Sequence, residues 1–269
     1  MFPSDDLGFV DAKAESIEVE LAGHVYTLRQ SPGLLASTRE GGTTGAVLWK
    51  ITPLLASWLA ARPALLSDTD ILHKDATIVE LGCGLTGLIG LALSRLVKCY
   101  VLTDQDYVMK YLRENIVANS PIAHRGTKNV KNKANVPKTG LETPLRTFAL
   151  DWETDCVESL RSVIPCEVPI DLVLLCDCVY NEYLVFPLIQ TCVDVCQLGS
   201  SVTKATVVLI AQQLRSNSVF ELFLSTLMKR FQVWRVPDQW LSVDLRSNSG
   251  YVVHLAVLNN MAQEVPRCP

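Results

Sequence analysis

The chain has 269 residues, 24 Lys and Arg against 28 Asp and Glu, a formal net charge of -4 and 49% apolar residues. That length suits one α/β domain rather than two large ones, and the apolar share supports a sizeable core and excludes global disorder. The acidic balance lacks the basic face of nucleic-acid binders, so no direct nucleic-acid partner is expected.

The first residues, MFPSDDLGFVDAKAE, are acidic and lack the basic start and apolar block of a secretory signal. Two alternating stretches follow, SIEVELA and HVYTLRQ, which meet at Gly23-His24 and predict a β-hairpin. We expect residues 1–40 to form a hairpin extension packed on a single domain spanning 41–269. AVLWKITPLLASWLAA places apolar residues at three- and four-residue intervals and predicts a helix, with Pro53 near a bend. The apolar run LLASWLAARPALL is cut by Arg62 and Pro63 before it reaches membrane-spanning length, so a soluble, cytoplasmic chain with no membrane contact is expected.

From Ala76 strands and helices alternate. TIVEL, CYVLTD, RTFALDW, DLVLLCD and ATVVLIAQ read as strands; TGLIGLALSRL, YVMKYLRENIVAN, YLVFPLIQTCVDVCQ and SVFELFLSTLMKRF read as helices between or after them. This pattern predicts an α/β fold with a doubly wound, mostly parallel seven-stranded Rossmann-like sheet. QVWRV and YVVHLAVL are separated by a loop with no helical period, which predicts an antiparallel hairpin at one edge.

A basic insertion at about 121–145, rich in Lys, Asn and Gly, reads as a solvated loop rather than as a nucleic-acid or acidic-partner patch. It joins a helix end to a strand start, whereas ligands of such sheets bind at the carboxyl edge. The nine cysteines are odd in number and sit largely in apolar runs, so reduced core thiols are expected. No C-x-x-C pair or His cluster has metal-ligand spacing, and no metal is expected.

The chemistry centres on IVELGCGLTG, where Gly82, Gly84 and Gly87 form a G-x-G-x-x-G turn after the first strand of the repeat. Asp104 ends the next strand and suits a ribose diol in either a nicotinamide or an S-adenosylmethionine site. Glu80 discriminates between them: a carboxylate beside the turn repels a pyrophosphate and favours a ligand that carries ammonium and sulfonium groups. Its bland alternative is capping of the next helix. LDWE puts Trp152 where an adenine would lie, with core packing as the competing role. LLCDCVYNEY ends a further strand with Asp177 and Tyr180 at the same edge.

GGTTGAVLWK, VELGCGLTG, Asp104, LDW and the D-x-x-Y of Asp177 to Tyr180 occur in one order over roughly residues 15 to 258. In this the chain resembles the seven-strand protein-lysine methyltransferases, and looks most like the fungal ribosomal-protein lysine methyltransferases. The resemblance implies an S-adenosyl-L-methionine cofactor held by Trp49, Glu80, Gly82, Cys83, Gly84, Asp104, Trp152 and Cys176. It implies a protein substrate presenting a lysine, met by Asp177 and Tyr180 as the catalytic pair, on a non-histone protein of the ribosomal, translation or chaperone class. Asp177 is then expected to orient the ammonium and Tyr180 to wall the channel. A monomer is expected. AQQLR, after the next strand, departs from the acidic residue of several relatives. A methyltransferase of another acceptor class and a nicotinamide-dependent oxidoreductase remain the alternatives, the latter without a Tyr-x-x-x-Lys or placed His to donate its proton.

Overall fold

A computed structural model describes residues 8–37, 43–120, 144–165, 167–199 and 204–259. The insertion at about 121–145 therefore falls almost wholly outside the described residues.

The repeat from Ala76 builds one seven-stranded sheet. Its strands are β3 (Thr77–Leu81), β4 (Cys99–Asp104), β5 (Leu145–Ala149), β6 (Leu172–Cys176), β7 (Val207–Gln213), β8 (Phe231–Arg235) and β9 (Tyr251–Leu258), in the spatial order β5-β4-β3-β6-β7-β9-β8. All pairings from β5 to β7 are parallel, and β9 pairs antiparallel with both β7 and β8. The last two strands pair as their pattern predicts, with one refinement: β9 inserts between β7 and β8, so β8 holds the edge. β9 is the more buried of the two, with Val252, Val253, His254 and Ala256 shielded, and a two-faced burial favours the interior position.

Strand alternation divides the core into two layers. Ile78, Tyr100, Leu102, Leu172 and Leu174 face α2 (Ile51–Ala60), α4 (Leu88–Leu93) and α5 (Asp106–Ala118). Val79, Leu81, Val101, Val173 and Leu175 face α6 (Val185–Gly199) and α7 (Asn217–Leu227). Glu80 shares the phase of Ile78 and so projects a carboxyl into the first layer, where it is 2% exposed.

β1 (Ser16–Leu21) and β2 (His24–Arg29) form the predicted hairpin. Its turn residues Ala22 and Gly23 both have positive φ, as a two-residue type I′ turn requires. Two asparagines four residues apart, Asn115 in α5 and Asn119 at its C-cap, hold the hairpin. Asn115 accepts from the Arg29 N–H at 2.8 Å and donates to Arg29 O and to Leu85 O, while Asn119 exchanges the same pair of bonds with Thr27. Asn115 thereby ties the hairpin to the loop after β3.

The helix predicted over AVLWKITPLLASWLAA begins only at Ile51. Pro53 lies in its first turn, where an amide hydrogen has no helical acceptor, so no bend is needed. Trp49 is outside the helix, in an isolated bridge to Phe9. Six cysteines among the described residues are free and buried; Cys156 is disulfide-bonded, which corrects the expectation of reduced thiols at that position. No helix among the described residues is long and apolar enough to cross a membrane, and no His, Cys, Asp or Glu group among them could hold a metal ion.

Candidate active site

From β3 the chain steps outward through β4 to β5 and then returns to β6 on the other side of β3, so strand order reverses at the carboxyl ends of β3 and β6. Ligands of open α/β sheets bind at such a point. A cleft open to solvent lies there. All ten residues singled out from the sequence line it: Trp49, Glu80, Gly82, Cys83, Gly84, Asp104, Trp152, Cys176, Asp177 and Tyr180.

The turn after β3 is glycine for steric reasons. Gly82 and Gly84 have φ of +70° and +65°, a region that costs side-chain-bearing residues strain. A Cβ at Gly82 would stand 3.0 Å from Cys178 Sγ and 3.1 Å from the Trp152 ring; one at Gly84 would stand 3.3 Å from Gly45 O. The turn is thus a cradle already in close contact with the indole and with the loop at 43–49, which is tied to it by the Leu85 N–H donating to Gly45 O at 2.9 Å.

Asp104 is fixed from both sides, its Oδ2 accepting from Gly84 N at 2.8 Å and its Oδ1 from Gln105 N at 2.8 Å. Burial pushes its carboxyl up to about 6, against the pull of those two N–H groups. Burial pushes Glu80 further, to about 8, although the Tyr100 hydroxyl donates to its Oε2 at 2.7 Å. Glu80 is therefore largely protonated at neutral pH until a cation enters the cleft. Burial also raises the Cys83, Cys176 and Cys178 thiols well above their ordinary value, which keeps them protonated and unreactive.

Asp177 differs from an open ammonium receptor. Its side chain is 1% exposed, and Arg215 grips it with both guanidinium nitrogens, Nη1 at 2.9 Å from Oδ1 and Nη2 on Oδ2. Gln212 Nε2 donates to Oδ1 at 2.8 Å and the Gln213 N–H at 3.2 Å. The residue has φ of +61° and forms the turn that brings Tyr180 to the cleft. Tyr180 is hydrogen-bonded to the Thr44 side chain, and burial raises its hydroxyl.

Sequence patterns did not point to Arg215 as a partner of Asp177 or to Tyr100 as a partner of Glu80. The first had one signal, a basic residue just past the carboxyl end of a strand. The second had none, because the two positions are joined only by strand pairing.

Acids and aromatics dominate the chemistry of the cleft. Among its lining residues Glu80, Asp104, Asp151 and Asp177 are acidic and none is cationic; Asp177 is already paired with Arg215, but Asp104 and Asp151, with a Glu80 that a cation would ionise, suit a cationic ligand and oppose a pyrophosphate. The Trp152 indole N–H is buried with no protein partner, so it has a donor to offer a ligand. The Gly82 and Gly84 cradle, the Asp104 carboxylate and this unpaired donor fit S-adenosylmethionine.

Fold and cleft together define a class I type α/β methyltransferase. Similarity to solved structures agrees on the fold: the METTL16 MTase domain superposes with a TM-score of 0.51 at 11% identity, covering 87% of this chain and 73% of that one. A sam-dependent methyltransferase from Streptococcus mutans, itself described as putative, gives a TM-score of 0.50 at 11% identity over 91% of this chain and 56% of that one. The family model for lysine methyltransferases matches residues 28–230, and the chain belongs to that family. Its cofactor is S-adenosylmethionine and its substrate is a protein. Among curated relatives, a Ribosomal lysine N-methyltransferase 5 from Lachancea thermotolerans is 27% identical, with 85% of this chain and 83% of that protein covered. One from Zygosaccharomyces rouxii is 29% identical over 74% and 69%. A Schizosaccharomyces pombe protein named for diaminohydroxyphosphoribosylamino-pyrimidine deaminase is 28% identical over 85% of this chain, which spans only 48% of that protein.

Proposed function

We propose that the chain methylates a lysine of a ribosomal protein, in the cytoplasm, as a monomer that contacts neither nucleic acid nor membrane directly. The observation that carries the choice of substrate is the similarity to proteins named ribosomal lysine N-methyltransferase along 83% of the Lachancea chain. In this reading Asp104 holds the ribose diol, Trp152 covers the adenine, and Trp49, Cys83 and the backbone beside Cys176 border the cofactor. Gly82 and Gly84 let the backbone approach its amino-acid part. Glu80 supplies the charge that a cationic ligand calls for. We further treat residues 1–40 as an extension on a single domain.

S-Adenosylmethionine supplies an activated methyl group on a sulfonium, so the protein has mainly to align an amine with it and exclude water. The amine must first lose its proton. At pH 7 that costs a free lysine about 4 to 5 kcal/mol, because its pKa is ~10.4 and each unit is about 1.4. Desolvation between Tyr180 and Trp49 lowers that cost by disfavouring the charged form. Asp177 stands behind this channel and shapes it, and the proton leaves to water.

The test is selective stabilisation. S-Adenosylmethionine at a hundred times its dissociation constant should stabilise the folded chain by about 2.7 kcal/mol through mass action, and thermal melting reads this directly. NAD should give no shift. A shift with NAD and none with the methyl donor would overturn the assignment.

A further inference from the structure

We propose that Arg215 is a positioning residue for methyl transfer: its guanidinium, braced on Trp49, holds Asp177 in place and balances its charge, and so sets the channel that the lysine amine enters.

Four observations converge on this residue. Arg215 forms a two-nitrogen ion pair with a carboxylate that is 1% exposed, while its own side chain is 21% exposed. Its Cζ lies 4.6 Å from the centre of the Trp49 ring, a cation–π contact. That indole also packs on Phe9, with centroids 4.4 Å apart, and its N–H donates to Thr44 O at 3.0 Å. Thr44 in turn is hydrogen-bonded to Tyr180. Asp177, Arg215, Trp49, Thr44 and Tyr180 thus form a connected chain along the cleft, and Arg215 is the cation among these five.

Its charge matters as much as its grip. An unpaired carboxylate at Asp177 would attract the lysine as an ammonium and hold the proton that must leave. Paired with Arg215, it presents a nearly neutral unit. Acids act on the groups around it: Glu80 and Asp104 on the thiols beside Asp177, and Asp104 and Glu153 on Tyr180. Loss of the guanidinium would leave these acids unopposed by it. A planar fork suits this task, since a lysine ammonium is a point charge that cannot make both bonds in one plane.

The proposal rests on the lysine-methylation reading, and the test separates the two. R215M and R215K are compared with the wild-type chain by kcat and KM for the protein substrate from pH 6 to 10, at temperatures below each melting transition. R215M should lose tenfold or more in kcat at pH 7 with KM for the substrate unchanged or lowered. The rising limb of its kcat profile should move up by about one pH unit, as expected for a unit charge removed a few ångströms away. R215K should return the limb to the wild-type position with an intermediate kcat. Should R215M fail to fold, R215K alone decides: an unmoved limb with reduced kcat supports the proposal, and wild-type kcat overturns it. An R215M enzyme with wild-type kcat and limb overturns it as well. So does one faster than wild type, which would make the guanidinium a plug. Wild-type enzyme that methylates something other than lysine sinks the reading and the proposal together; lysine methylation with an unmoved R215M profile sinks the proposal alone.

Discussion

Asp177→Asn is expected to melt roughly 6–12 °C early and, while folded, to turn over on the order of a hundredfold more slowly. The stability loss follows from the ion pair. Replacing Oδ2 by an amide points N–H against the Arg215 Nη2 that now donates to it, leaving a mostly buried guanidinium with neutral acceptors at Oδ1 and Gln213 Oε1 and no carboxylate to balance its charge. Removing one partner of such a pair costs about 3–5 kcal/mol; Arg215 keeps some solvent access, so the lower end applies, and at this size about 3 kcal/mol moves the midpoint by those degrees. The catalytic loss follows from geometry, because the bonds that Arg215, Gln212 and Gln213 make to the Asp177 carboxylate hold the turn leading to Tyr180, and misplacement by about 1 Å costs near a hundredfold. Cofactor affinity should change little. Single-turnover rates and melting curves on the same variant check this. Early melting with a near-normal rate below the transition would make the pair structural only.

Glu80 should make cofactor affinity rise with pH. Burial raises its folded-state value from an ordinary 4.5 to about 8. Since that is a rise, Glu80 favours the folded, ligand-free chain fully below about 4.5, and this contribution is lost as pH climbs through about 8. A sulfonium and an ammonium in the cleft stabilise the ionised form, so binding near neutrality releases the Glu80 proton. Affinity should therefore increase by about tenfold per unit between pH ~6 and ~8 and level off above. Asp104, raised only to about 6, is already ionised over most of that window and adds dependence below it. Glu80→Gln should abolish the slope and weaken binding at pH 8 by tenfold or more. Titration calorimetry in buffers of different ionisation enthalpy counts the released proton directly. A pH-independent affinity shared by the wild type and the Gln variant would contradict this role.

Local patterns made most of the fold legible. TIVEL, CYVLTD and YVVHLAVL are strands over the very residues that their apolar runs mark, because strands buried on both faces leave an unbroken apolar signature. The position of β9 between β7 and β8 was not legible, since an alternating pattern gives phase and not neighbour. Trp49 misled for a related reason. Its spacing fits a helix, but the bridge to Phe9 takes the backbone there instead. Within the cleft, strand-end positions follow from the rule that ligands sit at the carboxyl edge of such a sheet, so the amino-acid pattern alone groups Asp104, Trp152 and Asp177. The partners that set their chemistry leave no such mark. The Tyr100 hydroxyl on Glu80 and the Arg215 fork on Asp177 join residues 20 and 38 positions apart, and pairings at that distance leave no periodic trace.

The most direct measurement incubates the purified chain with a methyl-labelled cofactor and ribosomal proteins from its own source, then locates the label by peptide mass spectrometry. The account predicts label on the side-chain nitrogen of lysine in a ribosomal protein, sharply reduced by Gly82→Ala, which sits at φ of +70° and whose Cβ would crowd Trp152 and Cys178 at 3.0–3.1 Å. Label on nucleic acid, or on a protein residue other than lysine, would contradict it.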